Sequence, residues 1–189
     1  ITDLLVRATE PADVVLLVGR FATVFCKRVV PFLDACLFST RSVFDCNKSD
    51  VESISVGLIM NELLRVANLL EVSSLAPPLR ERLQRQVAHH LAWFVVDTLI
   101  EHGDYATCSR GFQIKFFMSY VDTAFLNAKY AKLRALAPAF AVVTDVANLL
   151  LLQHCLEAND FAVLFPSLLP DVIFAVLQNF RPDESAHGA

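Results

Sequence analysis

The chain has 189 residues, of which 55% are hydrophobic and 19% charged, and its formal net charge is −4 with a pI near 5.7. This length builds one domain with a sizeable core, or at most two small ones. The acidic balance leaves no electrostatic footprint for nucleic acid or for an anionic membrane surface, so we expect neither as a partner.

Five cysteines are spread along the chain without a CxxC pair. Their odd number and wide spacing argue against a disulfide framework and against a zinc site, and they favour a reducing, intracellular setting. The chain begins ITDLL, without a Met or a signal segment, and we expect it to be a fragment of a longer protein.

The first long apolar pattern predicts a helix from Ala12 to about Phe38, with a kink or a break at Pro31. Ser49 and Glu52 form a capping-box pattern, which predicts a second helix that ends near Val72. Helical spacing puts six apolar residues on the inward face of this second helix: Val56, Ile59, Met60, Leu63, Ala67 and Leu70.

Pro77 and Pro78 suit the first turn of the next helix, the clearest amphipathic one, which is predicted to run to His102. A polar turn follows, and Ser109 is predicted to cap a helix from Gly111 to about Asn127. The spacing in that helix places four positions on one side: Phe112, Phe116, Tyr120 and Thr123 or Ala124.

The run from Ala135 to Cys155 is about long enough to span a bilayer. Its Asp145 would cost roughly 2.5–3.5 kcal/mol at mid-span. Leu136, Phe140, Val143, Ala147 and Leu150 follow helical spacing, so we expect a core helix that begins at Pro138, with a transmembrane helix as the alternative. Pro170 and Pro182 bracket a last helix, from Asp171 to Phe180.

No stretch alternates polar and apolar residues in the manner of a strand. We therefore predict an all-α fold, an elongated multi-helix bundle of about six to eight helices with no sheet. Residues 1–183 are predicted to form a single domain, and residues 184–189 a disordered tail.

Catalytic and ligand-binding signatures are absent: the sequence has no Walker loop, GxGxxG, HExxH or GxSxG. We therefore predict no catalytic residue, no cofactor and no metal. His89-His90 beside Trp93 is interpreted as structural, because no carboxylate or cysteine stands at ligand spacing on the same helical face. Asp145, inside an apolar helix, is expected either to bond a neighbouring helix end or to be exposed.

The stretch from Val96 to Lys115 resembles the dilute domain, the core of the cargo-binding globular tail of class V myosins. The family pattern has a turn acid followed by Ser-basic-Gly-x-Gln-Ile-basic, and it is matched by Asp104, Ser109, Arg110, Gly111, Gln113, Ile114 and Lys115. Leu136-Ala137-Pro138 and the later Leu152-Gln153 are similar to the family's Leu-x-Pro helix ending in Leu-Leu-Gln. Matching pieces in the same order extend from about Val14 to Asp183.

This resemblance implies a non-enzymatic protein-binding module, the cargo- or adaptor-binding region of a class V-like myosin tail. The implied partners are protein adaptors or small GTPases on cargo membranes. The implied place is the cytoplasm, on vesicles or the cytoskeleton without membrane insertion, in a parent protein able to dimerise outside this chain. We interpret the motif residues as structural, with direct partner contact as the alternative for Arg110–Lys115.

Three other functions stay open. A dilute-domain scaffold of the afadin or Ras-interacting type would carry Ras-association or PDZ-like modules, whereas a myosin would carry heptads immediately before residue 1. A vesicle-tethering helical rod of the exocyst type also stacks short helices. A small helical ligand-binding protein would be stabilised by a specific small molecule in a thermal-shift screen.

Overall fold

Helices and one long run of 3-10 turns make up the fold. The computed structural model describes residues 11–33, 48–73, 75–101, 107–152 and 161–180. Within these ranges there is no strand, which confirms the predicted all-α class. The elements in chain order are α1 Pro11–Leu33, α2 Lys48–Glu71, α3 Pro77–Glu101, α4 Cys108–Leu126, the 3-10 segment Ala128–Phe140, α5 Ala141–Leu152, the single turn α6 Phe161–Leu164, and α7 Pro170–Asn179.

The first three helices follow the predicted pattern closely. All six inward positions predicted for α2 are buried, and α3 begins at Pro77, where a missing backbone N–H costs nothing. The helix α1 does not break at Pro31 but runs on to Leu33. The other expected outcome at Pro31, a kink, stays a prediction.

The start of α4 differs from the prediction, because its N-cap is Thr107 and not Ser109. Thr107 has extended backbone angles (φ −124°, ψ 161°), and its hydroxyl oxygen accepts a 3.1 Å hydrogen bond from the Arg110 N–H. Ser109 is instead the second residue of the helix. Serine and threonine both favour the cap position, so the residue type alone does not say which one starts the helix.

The spacing on α4 left open which side of the helix faces inward. Phe112 and Phe116 lie on one side, as predicted, and this side faces outward, with 53% and 56% of their surfaces exposed. The buried side carries Gly111, Gln113, Ile114, Phe117, Met118, Val121 and Phe125. This helix has two apolar stripes, and packing against α5, α2 and the 3-10 segment decides which of them is buried.

The segment between α4 and α5 corrects the prediction that Pro138 begins an α-helix. Pro138 lies near the end of the 3-10 segment, and α5 begins three residues later at Ala141, whose N–H donates to the Pro138 carbonyl. Asn127 caps the start of the segment, because its side-chain oxygen accepts a hydrogen bond from the Lys129 N–H at 2.9 Å. Its backbone departs from helical angles at Tyr130 (φ −107°, ψ 19°).

Side chains of the 3-10 segment tie it to its neighbours. The Tyr130 hydroxyl lies 3.0 Å from Asn61 Oδ1 on α2, and the Lys132 ammonium lies 2.7 Å from Glu71. The Arg134 guanidinium donates to the Phe125 and Leu126 carbonyls, which lack partners of their own at the end of α4. These bonds hold an otherwise irregular segment in place.

The predicted inward face around α5 is confirmed, since Leu136, Phe140, Val143, Ala147 and Leu150 are all buried. Within the described residues, Ala128–Leu152 is the one stretch that is long and apolar enough to cross a membrane, and 44% of its most apolar window is buried inside the protein. Asp145 bonds a neighbouring turn as expected: its Oδ2 accepts from the Ser167 N–H at 3.0 Å, just before α7.

The helices α4 and α5 approach each other closely at Gly111. A Cβ added to Gly111 would meet Leu151 Cγ at 3.0 Å, Leu150 Cβ at 3.1 Å and the Ala147 carbonyl oxygen at 3.2 Å. Its φ is not positive, so glycine is required here by space and not by backbone angle. Gly111 therefore marks a close approach of α4 to α5.

Several predictions fall outside the described residues. These are the turn acid Asp104, Gln153, the side chains of the Ser49–Glu52 capping box, and the tail 184–189. The division of the chain into one domain over 1–183 and a tail stays a prediction.

Gly111→Val is expected to lower the free energy of unfolding by about 1–3 kcal/mol, the usual cost of overpacking. The branched side chain would press on two leucines and on a backbone oxygen of α5 that cannot move without the helix. Denaturant unfolding followed by circular dichroism measures the change.

Gly57→Ala is the matched control, because nothing lies within 4 Å of a Cβ added at Gly57 in α2. There the better helix propensity of alanine should leave stability unchanged or raise it by up to about 1 kcal/mol. Equal effects of the two substitutions would show that Gly111 does not mark a close approach of helices.

Candidate functional site

The family-motif string at the start of α4 is split between two environments. Gly111, Gln113 and Ile114 are buried, whereas Phe112 and Lys115 point outward. Inward residues cannot touch a partner while the fold is intact. Outward ones can, so the structural and the partner-contact interpretations apply to different residues of one string.

The inward residues of the string join α4 to α5. Cys108 Sγ lies 3.4 Å from the Leu150 carbonyl oxygen, beside the Gly111 contact. Ile114 is fully buried and Gln113 is 4% exposed. The Gln113 Oε1 finds no hydrogen-bond partner among the described residues. The string is thus mainly a packing joint, and a role of its members in binding stays a prediction.

The other motif residues do not gather into a site. Pro138 is exposed on the 3-10 segment, and Leu152, 43% exposed, is the last residue of α5. Asp104 and Gln153 lie outside the described residues.

The outer face of α4 is the first candidate surface. We define it by Phe112, Phe116, Ser119, Thr123 and Leu126, all exposed. Phe112 and Phe116 are one turn apart, so their rings occupy neighbouring positions on the helix surface. Leu126, 77% exposed, lies at the end of the same face. Neighbouring large apolar side chains on a surface are typical of a contact region.

A groove between α1 and α3 is the second candidate surface, with a volume of about 440 Å³. On α3 it is lined by His90, Trp93, Phe94 and Asp97, which share one helical face. On α1 it is lined by the similarly spaced Gly19, Ala22, Thr23, Cys26, Lys27 and Val30. The twelve residues from Gly19 to Val30 correspond to about 16 Å of helix, or three turns.

Two ionisable groups in this groove have shifted pKa values. Burial raises the pKa of the Asp97 carboxyl, and the negative charge of Glu101, one turn further along α3, raises it too. Burial also raises the pKa of the Cys26 thiol, which makes this cysteine a poor nucleophile. Asp97 forms no ion pair with any cation in the described part of the chain.

The histidine pair predicted to be structural lies at this groove. The Trp93 indole N–H donates to His89 Nε2 at 3.3 Å, and the two rings meet edge to face. His90, Cys26 and Asp97 line the groove together, yet no three His, Cys, Asp or Glu residues in the described ranges are grouped closely enough to hold a metal ion.

A second depression, of about 420 Å³, lies where the start of α3 meets the 3-10 segment. Its charges already have partners, because Lys132 pairs with Glu71 and Arg85 with Glu81. Arg80 donates to the Glu71 carbonyl at 3.0 Å. This depression therefore has little charge left to offer a ligand.

Sequence reasoning missed the groove, although half of its signal was present. His90, Trp93, Phe94 and Asp97 stand at positions i, i+3, i+4 and i+7, so one face of α3 mixes aromatic and ionisable side chains. The partner wall cannot be found this way, since α1 lies some seventy residues earlier in the chain.

Most of these helices match the model of one known protein family. The model of a family described as "DIL domain" matches residues 82–184, which include most of α3 and all later elements. No curated protein and no solved structure matches the chain significantly.

Asp97→Asn is expected to raise the melting temperature at pH 7. Folding raises the pKa of the Asp97 carboxyl. The ionised form of this carboxyl is therefore less favourable in the folded protein than in the unfolded one, so it opposes folding at neutral pH. The increase in melting temperature should be largest at pH values above the raised pKa of Asp97. It should vanish as the pH falls below 3.8, the ordinary pKa of an aspartate carboxyl. Thermal melts across this range measure it.

Glu81→Gln provides the comparison, because Glu81 is an exposed acid on the same helix with Arg85 as partner at 3.5 Å. Glu81→Gln should therefore not raise the melting temperature. A melting temperature of Asp97→Asn at or below that of the wild type at pH 7 would contradict the electrostatic account of the groove.

Proposed function

The chain belongs to the DIL domain family, and from this membership we propose that it is the cargo- or adaptor-binding region of a class V-type myosin tail. DIL domains occur in myosin V tails, and the family is one of protein interaction and not of enzymes. The matched region covers more than half of the chain. The proposed activity is therefore binding, without chemistry on the partner.

The observation that carries this proposal is the outer face of α4. It lies inside the family-matched region, and it leaves two phenylalanines more than half exposed one turn apart. Burying their remaining exposed surface against a partner would be favourable by roughly 25 cal/mol for each Å² removed from water. Aromatic side chains of this kind are common anchors at the centre of interfaces.

The proposed partners are protein adaptors or small GTPases on cargo membranes. An amphipathic helix laid along α4 could place apolar side chains against Phe112 and Phe116. Lys115 and Asp122, exposed beside them, offer one charge of each sign at the rim. The proposed location is the cytoplasm, on vesicles or the cytoskeleton, with attachment through proteins and not through insertion into the bilayer.

Combined Phe112→Ser and Phe116→Ser substitutions are expected to reduce association with cargo vesicles by tenfold or more, since about 1.4 kcal/mol of lost contact is enough for a factor of ten. The tagged chain is expressed in cells of its source, and its share in the vesicle fraction is measured. Stability should change by no more than about 0.5 kcal/mol, because both side chains are exposed.

Phe174→Ser on α7 is the matched control, as it removes a phenylalanine that is 67% exposed elsewhere on the surface. It should leave the vesicle share unchanged. A wild-type chain that stays out of the vesicle fraction, or a double variant that associates like the wild type, would contradict the proposal.

A further inference from the structure

The α1–α3 groove combines an apolar floor with charged rims. Ala22 is 3% exposed, and Cys26, Val30, Trp93 and Phe94 are partly buried, so these side chains form the floor. Thr23, Lys27, His90 and Asp97 are exposed at the edges. A partner that covers this floor would make aromatic and aliphatic contacts with it and would remove apolar surface from water.

The dimensions of the groove suit a helix. It follows about three turns of α1, and helices pack with their axes about 8–10 Å apart when side chains of one fit between those of another. An occupant of eleven or twelve residues would lie along the full length of the groove. Its anchors would recur every three or four residues, as the lining residues themselves do.

Two acidic side chains at one end of the groove would favour a helix that carries a positive charge at the matching position. Asp97 and Glu101 repel each other one turn apart on α3, and neither forms an ion pair with a cation in the described ranges. Lys27 and His90 also line the groove, and neither forms an ion pair with Asp97 or Glu101. A cation brought by a partner would relieve this repulsion.

We propose that the α1–α3 groove binds an amphipathic helix of a partner protein, with its apolar face on Trp93 and Phe94 and a lysine or arginine paired with Asp97 and Glu101. This inference rests on the proposed protein-binding function, and it names the partner's chemistry. The α1 wall lies outside the family-matched residues 82–184. One wall of the groove, on α3, therefore lies inside the matched region, and the other wall, on α1, lies outside it.

A selection from displayed random peptides of sixteen residues tests the proposal, with the purified chain as bait. Selected peptides should carry an apolar stripe at helical spacing together with at least one lysine or arginine. Trp93 is the single tryptophan of the chain and lines the groove, so binding of a synthetic selected peptide should shift its fluorescence. Titration of this signal gives the Kd.

Two variants locate the site. Thr23→Arg places a long cation in the groove from an exposed position and should weaken the selected peptides at least tenfold, while Trp93 remains as the reporter. Asp97→Asn combined with Glu101→Gln should weaken peptides with a basic residue about five- to tenfold. The same double variant should not weaken peptides in which glutamine replaces that basic residue.

Glu81→Gln, on α3 but outside the groove lining, is the control and should not change the Kd. The proposal is overturned if no peptide is selected, if the selected peptides lack basic residues, or if either groove variant binds them like the wild type. Concentration-dependent self-association that Thr23→Arg abolishes would also overturn it, since the occupant would then be a second copy of this chain.

These results separate the two proposals. Vesicle association that depends on Phe112 and Phe116, together with a failed selection, would remove only the groove proposal. Selected basic helices, together with a chain that stays out of the vesicle fraction, would keep the groove and remove the cargo function.

Discussion

The close approach of α4 to α5 at Gly111 is the contact on which the described core depends. A glycine lets the two helices meet with a leucine side chain and a carbonyl oxygen about 3 Å from where a Cβ would stand. Ile114 and Phe117 are buried on the same helix, and Cys108 Sγ lies 3.4 Å from the Leu150 carbonyl oxygen of α5. Because this contact fixes the rotation of α4, it also fixes which residues α4 shows to solvent.

Rotation of α4 links packing to function. The side of the helix that approaches α5 cannot bind a partner, and the opposite side leaves Phe112 and Phe116 exposed at a cost in solvation. The same short string therefore divides between two environments, with glycine, glutamine and isoleucine inward and phenylalanine and lysine outward. The inward residues form a structural joint, and the outward ones belong to the surface that we propose for binding.

Two acids at one end of the α1–α3 groove have no cation partner in the described part of the chain. Partial burial raises the pKa of the Asp97 carboxyl, and the negative charge of Glu101 raises it too. By contrast, the acids of the depression at the start of α3 have partners in Lys132 and Arg85. The ionised Asp97 side chain therefore opposes folding slightly, and this is the penalty that the proposed basic helix would relieve.

Local spacing along the chain was enough to predict the helical class, most helix boundaries, and the buried faces of α2 and of the region around α5. The resemblance carried by Ser109 to Lys115 likewise led to the DIL domain family. Tertiary structure decided what local spacing leaves degenerate. On α4 two apolar stripes have the same period, and the positions of α5, α2 and the 3-10 segment select the inner one. Thr107 and Ser109 are equally good caps, and the wall that faces Trp93 and Asp97 is distant in sequence. Burial is a property of two elements in contact, whereas periodicity is a property of one.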